Sequence, residues 1–253
     1  MFCFIIIFIN MIASFTQTYS DNRSVLFEFH NKDHNDIYFR NKLDTNYYAF
    51  HNSPSEYVQN ILEYPYFKSL NNIQYIYYNN ITYTKSFFET LQKLKMDGVK
   101  YMCFLQDDVF SQVSKDVIDE LLFFVKNNAF DMLNIEVSFS KDDTEKPPIY
   151  CGKQLTIYET TSEDFSHKQL WAFDDGPYIA NIDFLLECVY DDVYFAKECI
   201  WGAECYINEK IYQNKIQRLS CNIGSFHRVS IVGPNPTRIE SDTQLLHDRF
   251  SLL

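Results

Sequence analysis

Apolar residues fall along the chain in two kinds of block: short continuous runs rich in Ile, Phe, Tyr and Val, and longer stretches in which they recur every three or four positions. The first pattern is that of buried strands and the second that of amphipathic helices. Phe2 to Ile9 is β-branched and aromatic and of strand length, so it reads as a strand covered on both faces. The rival reading of the apolar segment Met1 to Phe15 is a secretory signal or membrane anchor, with Val25-Leu-Phe-Glu-Phe-His30 then supplying the first strand. Against the rival, the segment is short for a span, Asn10 interrupts it, no Lys or Arg precedes it and no small-residue cleavage site follows. No firm membrane span is therefore expected. The chain reads as cytoplasmic and open to membrane association, with the secretory pathway as the alternative if residues 1–20 are a signal or anchor.

Downstream the alternation is regular. Asn46 to Asn52 predicts a strand that Ser53-Pro54 stops. Ile73 to Tyr78 predicts the next, closed by Asn79-Asn80. Thr82 or Thr84 then caps a helix carrying Phe87, Phe88, Leu91 and Leu94, and Gly98 ends it. Val99 to Leu105 reads as a mostly buried strand running straight into Gln106-Asp107-Asp108. Ser114 caps a helix with Val117, Ile118, Leu121, Leu122 and Val125 on one stripe, and Phe130 to Val137 returns as a strand. Ser140 to Pro148 reads as a surface loop or hinge. Beyond it the pattern predicts a short strand near Leu155 to Tyr158, helices over Ile182 to Val189 and Trp201 to Tyr212, and a strand from Ile216. Strand and helix alternate without a sequence period, which predicts an α/β domain: a mainly parallel central sheet with helices on both faces. A single domain over residues 1–253 is expected, in two halves, 1–140 and 141–253, divided near the Ser140 to Pro148 loop.

Composition narrows the function. The chain has 253 residues, 46% of them apolar, enough for a full core. With 22 Lys and Arg against 34 Asp and Glu, the net charge of −12 has the wrong sign for neutralising nucleic-acid phosphates, so no nucleic-acid partner is expected. An acidic chain can still hold an anionic small molecule where a cation reverses the local field. The 7 cysteines are odd in number and form no CxxC pair, which indicates reduced thiols rather than a disulfide framework or zinc site.

Ligands of open α/β sheets bind beyond the carboxyl ends of the strands, where Asp107-Asp108 is expected. Two adjacent carboxylates leaving an apolar strand repel each other and are partly desolvated, and a hard divalent ion, Mg²⁺ or Mn²⁺, compensates them naturally. The commonplace alternative for an Asp-Asp pair is a helix cap or a solvated turn. The pair of βα units leading to this one favours the site.

Ile73-Gln-Tyr-Ile-Tyr-Tyr-Asn-Asn80, followed by Tyr101-Met-Cys-Phe-Leu-Gln-Asp-Asp-Val-Phe110, resembles the nucleotide-binding half of the type A glycosyltransferase fold, particularly family-2-like enzymes. The resemblance covers residues 46–138 well and the remainder loosely, and it implies a Rossmann-like fold that uses a UDP-sugar or other nucleotide-diphospho-sugar. It implies that Asp108 ligates the metal on the diphosphate and that Asp107 assists at the metal or the donor sugar. Gln106 stands where many members carry an acidic residue that contacts ribose or metal. Trp171-Ala-Phe-Asp-Asp-Gly-Pro-Tyr178 resembles the segment returning to the site, and Trp201-Gly-Ala-Glu204 the acidic motif of the acceptor-side helix. Glu204 is then the base that deprotonates the acceptor hydroxyl in an inverting transfer, with Asp174 and Asp175 as rival acids. Taken alone, Glu204 is an ordinary first-turn glutamate, and Trp201 is expected mainly in the core.

The same resemblance makes His227 a candidate metal ligand and Arg228 a diphosphate contact. It places the family's D-N-x-S turn at Phe50-His51-Asn52-Ser53, with His51 in place of an aspartate, Asn52 at the donor, and Asn79 near uracil or ribose. The acceptor, whether glycan, protein or lipid, is open. Rival classes are a nucleotidyltransferase, which would want a Gly- and Lys/Arg-rich loop after the first strand, and a catalytically degenerate fold that binds carbohydrate or a partner.

Overall fold

The computed structural model describes residues 10–19, 24–111, 113–136, 146–160, 173, 176–214 and 218–228. The strands are β1 (Ile12–Tyr19), β2 (Thr45–His51), β3 (Ile73–Tyr78), β4 (Tyr101–Gln106), β5 (Val109–Ser111), β6 (Met132–Asn134), β7 (Tyr150–Cys151), β8 (Thr156–Thr160), β9 (Tyr178–Asn181), β10 (Arg218–Cys221) and β11 (Phe226–Arg228). The helices, numbered in chain order, are α1 (Ser24–His30), α2 (His34–Asn41), α3 (Ser55–Leu62), α4 (Pro65–Ser69), α5 (Tyr83–Met96), α6 (Lys115–Asn127), α7 (Ile182–Cys188), α8 (Asp192–Phe195) and α9 (Ile200–Gln213).

Among the described residues nine strands form one sheet in the order β3-β2-β1-β4-β9-β6-β10-β8-β7, and β11 pairs with β5 in a separate ribbon. β3, β2, β1 and β4 are parallel neighbours. β9 then runs antiparallel between β4 and β6, so β6 and its parallel neighbour β10 point the same way as β4. The parallel expectation thus describes the first half of the sheet, and the second half is mixed.

Period-two alternation sorts the strand residues between two helical layers. On one face Phe15, Met102, Phe104 and Tyr178 pack with Phe87, Leu91 and Leu94 of α5, Leu185 of α7 and Ile207 of α9. On the other, Tyr101, Cys103 and Leu105 meet Phe39 of α2 and Ile118, Leu121 and Val125 of α6. Phe27, Tyr48, Phe50, Ile61 and Tyr66 form a third cluster beneath α3 and α4. Gly98 has φ +82°, the left-handed stop that lets the chain turn from α5 into β4.

Several expectations change. Phe2 to Ile9 lies outside the described residues, and the first strand described is Ile12–Tyr19. Val25 to His30 is not a strand but lies in α1, where tertiary packing of Leu26, Phe27 and Phe29 overrides local β preference. The predicted strand over Phe130 to Val137 shortens to Met132–Asn134. Much of Ser140 to Pro148 lies outside the described residues. Among the described residues no helix is long and apolar enough to cross a membrane.

Candidate functional site at the carboxyl edge of the sheet

Gln106 closes β4, and Asp107 and Asp108 form the turn by which the chain leaves the main sheet for β5. All three side chains are buried, Asp107 at 1% and Asp108 at 4% exposure, so this is no solvated surface turn. Thr18, at the carboxyl end of β1, donates through Oγ1 to Asp107 Oδ2 at 2.7 Å. The carboxyl ends of β1 and β2 are also linked, since Gln17 Nε2 donates to His51 Nε2 at 3.3 Å. Burial holds the His51 imidazole down at about 4, matching its acceptor role.

The ribbon brings a distant segment to this corner. β11 registers His227 opposite Phe110 and Arg228 opposite Val109, so both backbone positions flank the residues that directly follow Asp108. Ser225 and Phe226 donate their backbone N–H groups to the Ile135 carbonyl just past β6 (2.7 and 3.1 Å), anchoring the ribbon at the same edge.

Glu204 is the fifth residue of α9, just past its first turn rather than in it as expected, and it is buried. One turn later Asn208 accepts from the Phe173 backbone N–H at 2.9 Å and donates to the Phe173 carbonyl. Phe173 packs on Tyr178, and Tyr178 stacks on Phe104 of β4 at 5.2 Å. This chain of contacts ties the middle of α9, one turn past Glu204, to β4. Asp174 and Asp175 lie outside the described residues, between Phe173 and Gly176. Trp201 is 65% exposed rather than in the core, because the buried stripe of α9 runs through Ala203, Ile207 and Ile211.

Asn52 and Asn79 sit farther out, at the ends of β2 and β3, while Asp107 follows β4 with β1 intervening. Asn52 has φ +49° and braces the turn: its N–H donates to the Tyr78 carbonyl and its Oδ1 accepts from Asn80 N, both at 2.8 Å. Asn79 and Ser53 line a cleft of about 370 Å³ floored by Phe50 and Tyr77. A larger groove of about 920 Å³ runs between α5 and α7, lined by Phe88, Met96, Leu186 and Tyr190, and contains none of the predicted site residues.

A buried polar network beside the acidic turn escaped the sequence reading. His30, at the end of α1, donates through Nε2 to the Asp107 carbonyl at 2.7 Å. Its Nδ1 stands 3.5 Å from Asp36 Oδ2. Arg40 Nε bonds both Asp36 oxygens at 3.0 and 2.9 Å and its other arm donates to Thr16. Tyr66 donates to Asp36 at 2.8 Å and takes a hydrogen bond from Tyr48 at 2.6 Å. Burial would raise the Asp36 carboxyl, but Arg40, His30 and Tyr66 outweigh it and hold it below the usual range. Asp33 goes the other way, raised by burial and by the neighbouring Asp36 charge. The sequence did carry a signal: Asp33 is a helix-capping residue and Asp36/Arg40 an i, i+4 pair.

Asp21-Asn22-Arg23-Ser24, which follows β1 in the sequence, also spells D-N-x-S. Residues 21–23 lie outside the described residues.

No protein-family model matches the sequence, and no curated protein matches it. Solved structures do. Over 94% of this chain and 99% of that one, it superposes on 4-diphosphocytidyl-2C-methyl-D-erythritol synthase from Anaerococcus prevotii, with a TM-score of 0.53 and 14% identity. Residues 1–349 of TarS from S. aureus match over 94% of this chain and 64% of that one, with a TM-score of 0.53 and 13% identity. The shared architecture is the Rossmann-like fold of nucleotidyl- and glycosyltransferases, the type A arrangement that the sequence resembles.

Proposed function

We propose that the chain is a metal-assisted glycosyltransferase that moves a sugar from a nucleotide-diphospho-sugar to an acceptor hydroxyl, with inversion. The observation that carries this reading is the buried Asp107-Asp108 turn at the carboxyl end of β4, flanked in register by His227 and Arg228. Among the described residues no group of three or more His, Cys, Asp and Glu could enclose a metal. The donor set fits Mg²⁺ or Mn²⁺ held by one or two carboxylates together with substrate phosphate oxygens. When bound, such an ion neutralises charge building on the departing diphosphate.

The protein's own residues divide the remaining work. Asp108 is the principal carboxylate toward the ion, Asp107 assists while held by Thr18, Gln106 lies beside the ribose, and His227 is the additional ligand. Arg228 contacts the diphosphate. Asn52 and Asn79 form the outer donor contacts. Glu204 accepts the acceptor hydroxyl proton as the oxygen attacks the anomeric carbon, and Asp175 is the rival base. Residues 1–140 hold the donor and residues 141–253 the acceptor, a glycan, protein or lipid.

Nucleotidyl transfer is the second reading, favoured by the cover of 99% of a synthase whose name describes a cytidine-diphosphate-linked product. Calorimetry with UDP-, GDP- and CDP-sugars and with CTP, with and without Mn²⁺, separates the two. Metal-dependent nucleotide-sugar binding with turnover supports sugar transfer. Triphosphate preference replaces it with nucleotidyl transfer, and binding without turnover points to a degenerate carbohydrate-binding fold.

A further inference from the structure

The geometry points to His30 as a positioning residue: with Asp33 it clamps the main chain on both sides of Asp108 and fixes the direction in which the carboxylates of Asp107 and Asp108 project. Its functional half rests on the metal-assisted reading above; its structural half does not. The clamp has two jaws from one corner, the junction of α1 and α2. His30 holds the Asp107 carbonyl at 2.7 Å, and because a carbonyl only accepts, Nε2 carries the hydrogen. The same imidazole stacks on Phe110 at 4.3 Å and 18°, so it touches the chain before and after Asp108. Asp33 Oδ2 accepts the Ser111 backbone N–H at 2.9 Å, while its Oδ1 caps α2 through Asp36 N at 3.0 Å. The corner is itself immobilised, since Asp36 faces His30 Nδ1 and is bonded by Arg40 and Tyr66.

The turn that carries Asp107 and Asp108 projects its side chains from main chain held on both sides of Asp108. Holding its carbonyl and the amide of Ser111 preorganises it, as outer groups commonly do for metal ligands, where their loss weakens metal affinity about 10–100-fold.

The test compares His30→Ala, His30→Gln and Asp33→Asn with the parent protein. Gln keeps an N–H donor at similar reach. Amide hydrogen exchange over residues 107–111, read in metal-free protein, should accelerate at least about tenfold in His30→Ala and return toward the parent rate in His30→Gln. Mn²⁺ affinity in the presence of UDP, measured by calorimetry, should fall about 10–100-fold in His30→Ala, with KM for the donor rising more than kcat falls. If His30→Ala does not fold, His30→Gln and Asp33→Asn carry the comparison, and Asp33→Asn should speed exchange at Ser111 alone. Unchanged exchange over 107–111 in folded variants overturns the clamp. Accelerated exchange in a protein that binds neither Mn²⁺ nor nucleotide leaves the clamp standing and removes the sugar-transfer reading. Normal metal affinity in His30→Ala despite faster exchange overturns its functional half.

Discussion

Two buried acidic centres lie on either side of His30, and their surroundings differ. Asp36 is bonded by Arg40 through both its oxygens and by Tyr66 through a third contact, so its charge is neutralised from within. Asp107 and Asp108 lie instead in the turn at the carboxyl end of β4, buried, with Thr18 donating to one Asp107 oxygen. A carboxylate bonded by a guanidinium stabilises a fold, and in the proposed function the strand-end pair is where an external cation binds. Carboxylates that are equally buried can thus differ in what their loss costs.

The largest effect expected from breaking this contrast is on stability. Arg40→Met strands the Asp36 carboxylate and should cost about 3–5 kcal/mol in urea unfolding. An equal loss in Asp108→Asn would erase the distinction between the two centres. Asp108→Asn should instead leave the unfolding midpoint near that of the parent or raise it, and lower metal-dependent turnover about 10³-fold, several kcal/mol of barrier. Glu204→Gln should spare donor binding and slow transfer about 10²-fold or more in single-turnover assays. Loss of binding and rate together would make Glu204 a structural residue.

A smaller effect concerns the neighbouring strand ends. His51 titrates near 4 in the fold and near 6.5 when unfolded, so the unfolded chain binds more protons between those values. Stability contributed by His51 is therefore complete above about pH 6.5 and declines as the pH falls toward 4. At pH 5 the loss is about 2 kcal/mol relative to pH 7, and His51→Gln should remove that component from the pH dependence of urea unfolding.

Much of the scaffold was legible because its periodicities are undisturbed. Ile73–Tyr78 is recovered to the residue, and the stripes of α5 and α6 face the sheet as their spacing requires. β1 was missed for a physical reason. Its polar positions, Ser14, Thr16 and Thr18, look like a solvent face but are buried and bonded to Asn46, Arg40 and Asp107. A strand whose polar side is sunk into a charged network imitates a loop. α1 was mistaken for a strand in the rival reading because Val25, Phe27 and Phe29 favour β structure locally. Within the site, Asp107-Asp108 was visible as an acidic pair ending an apolar run. The clamp was not, since His30 and Asp33 act on main-chain atoms from residues far away in sequence.

The β5 and β11 ribbon has a consequence for assembly. Its two strands are separated by the chain that builds β6 through β10, so closing it demands the ordering of a long loop. The strand that flanks the acidic corner is thus joined to it by a pairing far more distant in sequence than that of β2 with β3, and its closure carries the larger entropy cost.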